Sequence, residues 1–225
     1  NLLKLHILAA DDTGAAEKNI INKDLALDDF GALVEYKGNG SGEYKMPHLL
    51  FHTSSGDKII FVVGYGNKRK WKDALGGQYG CLYIDEIKQA DIDFIRESSM
   101  RCDYLMGTLN PDDPELPVYK EYVNCSRPLS EWADETPQEI KDELKEEQSP
   151  VGTLVFSFDD NAGLPEAKKQ RIIENTPRGT KIWKNKIQGL RGKATGLVFC
   201  NFERKKHVVT EAWLRSQMAE GNLKL

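Results

Sequence analysis

Apolar and polar positions along this chain fall into blocks that predict strands and helices in turn. Residues 2–10 form an almost unbroken apolar run, the pattern of a buried strand, and end on Asp11-Asp12-Thr13-Gly14, a turn with helix N-cap chemistry. Over 15–30, Ala16, Ile20, Ile21, Leu25 and Leu27 recur at helical spacing. Residues 32–36 and 49–53 read as hairpin strands around the polar loop Lys37-Gly38-Asn39-Gly40-Ser41-Gly42. The run Ile59-Ile60-Phe61-Val62-Val63 predicts a strand over 58–64, followed by a Gly- and Lys-rich loop region over 65–80. Next come a strand over 81–84, a helix over 91–100 and a strand over 104–106 that runs into Gly107-Thr108-Leu109-Asn110-Pro111. Residues 114–124 suit a short helix or turn, and 136–148 an acidic amphipathic helix with Thr136 as N-cap and Pro137 at its first position. A strand over 151–158 ending in Asp159-Asp160-Asn161, helices over 164–175 and 178–188, a glycine-containing linker over 189–196, a short strand and a helix near 211–219 complete the chain. Strands and helices alternating in this way predict an α/β fold with a mostly parallel sheet.

Composition narrows this picture. A chain of 225 residues can bury a full core, and 40% hydrophobic with 29% charged residues fits an ordinary globular protein. No apolar run is long enough to cross a bilayer, and the first ten residues lack the pattern of a secretory signal. The chain begins with Asn, so a piece of a longer protein is expected. Cys81, Cys102, Cys125 and Cys200 form no CxxC pair, which argues against a zinc or redox motif and for a reducing, cytoplasmic setting. Net charge is −4, but residues 151–225 carry 14 Lys and Arg against 7 Asp and Glu, so the acidic excess lies in 1–150. The basic residues gather at 168–193 and at Arg204-Lys205-Lys206. Such clusters can follow a phosphate backbone, and they are also what a solvated helix face carries.

The densest chemistry is Cys81-Leu82-Tyr83-Ile84-Asp85-Glu86, an apolar strand ending in two carboxylates. Open α/β sheets bind ligands at the carboxyl ends of their strands. An acid pair there has the shape of a Walker B element, although any polar loop can also supply acids. Three such tips are expected to open on one edge: Asp85-Glu86, Thr108-Leu109-Asn110-Pro111 and Asp159-Asp160-Asn161. Taken alone, Asn110-Pro111 is also a common turn opening. Asp159 and Asp160 could be misread as a metal pair. His48 and His52 lie four apart in strand-like sequence, where a structural role is expected.

In order and wording these segments resemble the tailed-phage terminase large subunit, the ATPase that drives DNA into procapsids. The resemblance runs through Leu75-Gly76-Gly77-Gln78-Tyr79-Gly80 leading into the Walker B strand, the helix with Arg96 and Arg101, and the Thr108-x-Asn110-Pro111 coupling motif. It continues through Phe156-Ser157-Phe158-Asp159-Asp160-Asn161, Gly189-Leu190-Arg191-Gly192 and Gly196-Leu197-Val198-Phe199-Cys200-Asn201-Phe202. It implies a P-loop NTPase sheet of the RecA-like ASCE type, incomplete at the N-terminus, with 1–188 as a partial ATPase domain and 189–225 as linker and start of a nuclease region. It implies that Asp85 holds Mg²⁺, Glu86 activates the attacking water, and Thr108 and Asn110 sense the γ-phosphate of ATP. The implied partners are double-stranded DNA, portal protein, the small terminase subunit and further copies in a ring, in the cytoplasm of a bacterial host and without a membrane. Lys181, Lys184, Lys186, Arg191 and Lys193 are the implied DNA contacts.

The sequence departs from that pattern in three places. No G-x-x-x-x-G-K-[ST] loop is present, and Gly192-Lys193-Ala194 fails because Ile187 replaces the first glycine and Ala194 the hydroxyl. In the family this loop precedes the segment seen here, so the chain is expected to lack a central strand and to be inactive or severely impaired alone. The arginine expected before the glycine is Leu75, with Arg69, Lys70 and Lys72 upstream. The nuclease acids would begin beyond Leu225. Two other readings stand beside this one: another ASCE-type ATPase such as a helicase, and a non-catalytic nucleic-acid-binding prophage remnant.

Overall fold

The structure, a computed structural model, describes residues 4–22, 30–69, 71, 75–192 and 208–220. The strands at its centre form where β-branched and aromatic residues run together. These are β1 (Leu5–Ala10), β2 (Val34–Lys37), β3 (His48–Phe51), β4 (Lys58–Gly64), β5 (Tyr79–Ile84) and β6 (Cys102–Gly107). They make one sheet in the order β2-β3-β4-β1-β5-β6. β4, β1, β5 and β6 pair in parallel, while β2 and β3 form an antiparallel hairpin on one flank. The expected α/β class and mostly parallel sheet are therefore present. The six strands are continuous, so a further strand, such as the one expected to be missing, would join at an edge of this sheet.

Both faces of β1 are covered, which explains its unbroken apolar run. On one face Ile7 and Ala9 join Ile59, Phe61, Val63, Leu82 and Ile84 in a core closed by Phe94 and Ile95 of the helix α2 (Ile92–Ser99). Asp91 caps that helix by accepting from the Asp93 N–H. On the other face Leu8, Ala10, Leu49 and Val62 meet Ala16 and Ile21. Those two residues belong to α1 (Thr13–Ala16), capped by Asp12, and to the wider π turn Glu17–Ile21 that continues it. The rest of the predicted 15–30 helix, with Leu25 and Leu27, lies outside the described residues.

Beyond β6 the chain differs more from expectation. The predicted 114–124 helix is a π turn at Tyr119–Val123. Only Gln138–Lys141 (α3) is helical within 136–148. Thr136 does not cap it; its hydroxyl donates to the Trp132 carbonyl. The chain leaves the helix because other partners take its backbone: the Lys145 N–H donates to Asn124 O, and the Arg127 guanidinium takes the Lys145 and Glu146 carbonyls. The strand expected over 151–158 is only Gly152–Thr153 (β8), paired with Arg127–Pro128 (β7) outside the main sheet. The ladder consists of the Arg127 N–H donating to Val151 O and the Leu129 N–H to Thr153 O, and Leu154 and Phe156 beyond it stay exposed. The helices α4 (Glu166–Asn175), α5 (Lys181–Lys186) and α6 (Glu211–Ala219) lie inside the predicted spans. The predicted strand from Leu197, with Cys200, is outside the described residues.

Gly107 at the end of β6 holds this architecture to the site. A Cβ there would lie 2.9 Å from Ile87 Cδ1 and 3.3 Å from Ile87 Cβ, so the buried Ile87 cannot simply rotate away. Gly107→Ala is expected to cost about 1–3 kcal/mol in denaturant unfolding, and clearly less when introduced into an Ile87→Ala background, where the clash is gone.

Candidate functional site

The register of β5 against β6 sets Ile84 opposite Gly107, so the residues after both strands leave the sheet side by side. Two backbone bonds hold them there: the Thr108 N–H donates to Ile84 O at 3.1 Å and the Ile87 N–H to Thr108 O at 2.8 Å. The Asp85 N–H in turn donates to Ala9 O of β1 at 2.8 Å. Within this frame the Thr108 hydroxyl donates to Asp85 Oδ1 at 3.1 Å, and Tyr83 Oη lies 3.1 Å from Thr108 Oγ1. Asn110 Nδ2 donates to Glu86 Oε1 at 2.5 Å. The four residues singled out from sequence are therefore brought together as two adjacent bonded pairs, Asp85 with Thr108 and Glu86 with Asn110.

Glu86 is its most unusual member. It is the only non-glycine residue at positive φ among the described residues (φ 50°, ψ 49°). That left-handed conformation costs an L-residue roughly 1–2 kcal/mol and persists only where the surroundings impose it. The surroundings are visible: Tyr65 Oη donates to the carbonyls of Asp85 at 3.0 Å and Glu86 at 3.4 Å, and the Gln89 N–H donates to Glu86 O at 2.8 Å. Burial, reinforced by the charges of Asp11, Asp85 and Glu86, pushes the Tyr65 phenol well above its ordinary range, so it stays a donor. The turn leaves Glu86 Oε2 buried with no partner. An unpaired buried carboxylate oxygen is a strong acceptor awaiting a donor.

The third expected tip is not part of this cluster. Asp160 accepts from the Ser157 N–H and hydroxyl in a local turn, which lowers its carboxyl, and Lys169 donates to the Asp159 carbonyl. With no strand over 151–158 in the main sheet, nothing carries these acids to its edge. A cleft of about 320 Å³ opens instead at the tips of β1 and β4, between Asp11, Asp12, Thr13, Gly64, Gly66 and Asn67. The histidines have separate local partners: His48 sits between Ser41 and the Met46 carbonyl, and His52 faces Asp57 and Glu35. Among the described residues no group of three or more His, Cys, Asp or Glu is placed to hold a metal. Leu75, where an arginine was expected, is buried in the core, and Arg69 is exposed. Lys70 and Lys72 lie outside the described residues.

Three of the basic residues behind the nucleic-acid reading are engaged internally, while Lys168, Arg171 and Arg178 of the same cluster are exposed. Lys181 pairs with Asp112 at 2.5 Å and Lys184 with Glu139. Arg191 is buried over the Tyr119 ring and bonded to Asn124 and Glu143. Lys186 is exposed; Lys193 and Arg204-Lys205-Lys206 are outside the described residues.

Asp112, Lys88, Tyr65 and Tyr83 were not singled out from sequence. Asp112 was legible only as a loop acid after Asn110-Pro111. It receives Lys88 at 3.1 Å as well as Lys181. Burial acts to raise its carboxyl, but the bonds from Lys181, Lys88 and the Asp113 N–H prevail and bring it down to about 2.

No known family pattern matches the sequence, and no curated protein matches it. Solved structures do match. The large terminase of a thermophilic bacteriophage, in its second crystal form, superposes with a TM-score of 0.62 at 18% identity, covering 93% of this chain and 46% of that one. Its ADP complex gives 0.61 at 20% identity with the same coverage, and its ATP-γ-S complex gives 0.59 at 19%, covering 45% of that chain. The chain thus shares the fold of phage large terminases and spans less than half the length of these structures.

Two outcomes follow from the geometry. Glu86→Gly and Glu86→Ala both lose the Asn110 bond, but only glycine relieves the left-handed backbone. The glycine variant is expected to be more stable by about 1 kcal/mol in urea unfolding. Asp112 has a depressed folded-state pKa, so its contribution is full above about pH 4 and fades as pH falls toward 2. Asp112→Asn is expected to be less stable than the parent chain at pH 7 by about 1 kcal/mol after solvent screening, with the gap closing below about pH 3.

Proposed function

We propose that this chain is part of the ATPase of a phage DNA-packaging motor, the portion of a terminase large subunit that follows its phosphate-binding loop. The observation that carries the reading is Glu86: a carboxylate fixed by a strained turn, one oxygen held by Asn110 and the other buried without a partner. Phosphoryl transfer to water relies on positioning and charge neutralisation more than on covalent chemistry. In this reading Glu86 Oε2 accepts a hydrogen bond from the attacking water and then its proton. Asn110, bonded to Oε1, keeps the carboxylate in one orientation.

Asp85 would hold Mg²⁺ and Thr108 would steady that carboxylate through Oδ1. The donor set fits: Mg²⁺ is commonly bound by one or two carboxylates, with water and substrate phosphates completing its shell. When bound, the ion would neutralise charge on the phosphates. Thr108 and Asn110 touch the two acids and also begin the loop that leaves the site, which suits them to report the state of the γ-phosphate. The ADP and ATP-γ-S complexes of the fold's neighbour support a nucleotide as ligand.

The outer edge of β6 supports the view that more protein belongs beside it. No strand pairs there among the described residues, and Tyr104 and Met106 stand 64% and 60% exposed. Bare apolar strand edges are normally covered. A P-loop strand and its helix would cover this one and bring phosphate-binding groups beside Thr108. In the whole protein the proposed activity is ATP-driven translocation of double-stranded DNA, with portal protein, small subunit and further copies of the motor as partners in the host cytoplasm. No helix among the described residues is long and apolar enough to cross a membrane.

In a longer protein that includes the phosphate-binding loop, Glu86→Ala is expected to lower magnesium-dependent ATP hydrolysis by about 100-fold or more. Hydrolysis that persists at the parent rate in that variant defeats the assignment of Glu86. The 225-residue chain alone is expected to bind ATP weakly or not at all, measured by calorimetry.

A further inference from the structure

The loop carrying Asn110 does not end at the site. Two residues on, Asp112 is held from four directions. Its carboxylate takes Lys88 from the 3₁₀ turn just after Glu86 and Lys181 from α5. Its N–H donates to Tyr119 Oη at 3.0 Å, and its carbonyl accepts the Gly192 N–H at 3.2 Å. Tyr119 is almost wholly buried, and burial pushes its phenol up to about 12, so it remains a neutral hydroxyl. The Arg191 guanidinium lies 4.9 Å from the centre of the Tyr119 ring while bonded to Asn124 and Glu143. The Leu190 N–H donates to Lys184 O, which joins residues 189–192 to α5. The segment read from sequence as a linker is therefore packed, over 189–192, against the root of the Asn110 loop.

We propose that Asp112 is a positioning residue that ties the Asn110 loop to α5 and residues 189–192, so that a shift of that segment moves Asn110 relative to Glu86. The meaning of this tie for ATP hydrolysis rests on the function proposed above; the tie itself does not. Three arguments support it. Lys88 belongs to the turn after Glu86 and Lys181 begins α5, so their shared carboxylate joins the acid turn to the C-terminal segment. Charge-assisted bonds to a half-buried carboxylate are about twice as strong as neutral ones, so they are the stiffest links available. The ammonium of Lys181 is bonded to Asp112 and not to Asn110 or Glu86, so its polar link to the site runs through Asp112. On this reading Lys181 and Arg191 act as internal fasteners.

Amide hydrogen exchange of the 225-residue chain, without nucleotide, tests the tie. The Ile87 and Thr108 amides report docking of the loop, since they donate across it. Lys181→Met is expected to speed exchange at both by about tenfold, the effect of losing one charge-assisted bond. Lys181→Arg should stay near the parent. Lys184→Met, which breaks the neighbouring Glu139 pair on the same helix, should leave both amides unchanged. Leu8 in β1 serves as the measure of global stability and should not change. The proposal is overturned if Lys181→Met loosens α5 and Gly192 alone, if Lys184→Met has the same effect as Lys181→Met, or if β1 exchanges faster in proportion. Loss of the hydrolysis assignment with the loop still loosened would remove only the role in ATP turnover.

Discussion

The parallel ladder between β5 and β6 sets the geometry of everything at the carboxyl edge of the sheet. Because Ile84 faces Gly107, the chain leaves both strands at the same height, and backbone bonds between Thr108, Ile84 and Ile87 lock the two exits together. Gly107 is part of that constraint, since its missing side chain is the space Ile87 occupies. A shift of one residue in this register would turn alternate side chains to the other face and separate Thr108 from Asp85. Every contact in the candidate site is downstream of this alignment.

Strain and burial then divide the labour between the two acids. Asp85 directly follows β5, donates its N–H to Ala9 O and is tied by its side chain to Thr108. Glu86 turns into the left-handed region and is aimed at Asn110, with Tyr65 holding its backbone from below. In the proposed function these different backbones give the two carboxylates different roles, one toward a cation and one toward a water. The cost of the turn is met by the surrounding core, where Tyr65 packs beside Phe94.

The C-terminal part adds a second layer. Its basic residues suggested an outward-facing surface, but Lys181, Lys184 and Arg191 turn inward to acids of the body. The body is acidic, so this neutralisation is what elementary electrostatics would arrange once the two parts touch. The consequence is a continuous chain of contacts from Glu86 through Asn110, Asp112 and Lys181 to α5.

Much of this protein was already determined by its sequence alone. The apolar runs of β1 and β4 are long and unambiguous, and the acid pair after Ile84 marks the tip of β5, whose first two residues read as loop, because burial must end where charge begins. The Asn110 motif was recognisable in the same way, as a polar loop after an apolar strand. Only the tertiary structure could decide that residues 151–158 find no partner in the main sheet, since a strand pattern states a propensity and a ladder needs a neighbour. The same holds for the short helix at 138–141, whose following residues are drawn off by Asn124 and Arg127. The left-handed turn at Glu86 and the inward pairing of Lys181 and Arg191 were also beyond the sequence, because both are imposed by groups far away along the chain. Local pattern specifies what each segment prefers, and long-range contacts choose which preference is satisfied.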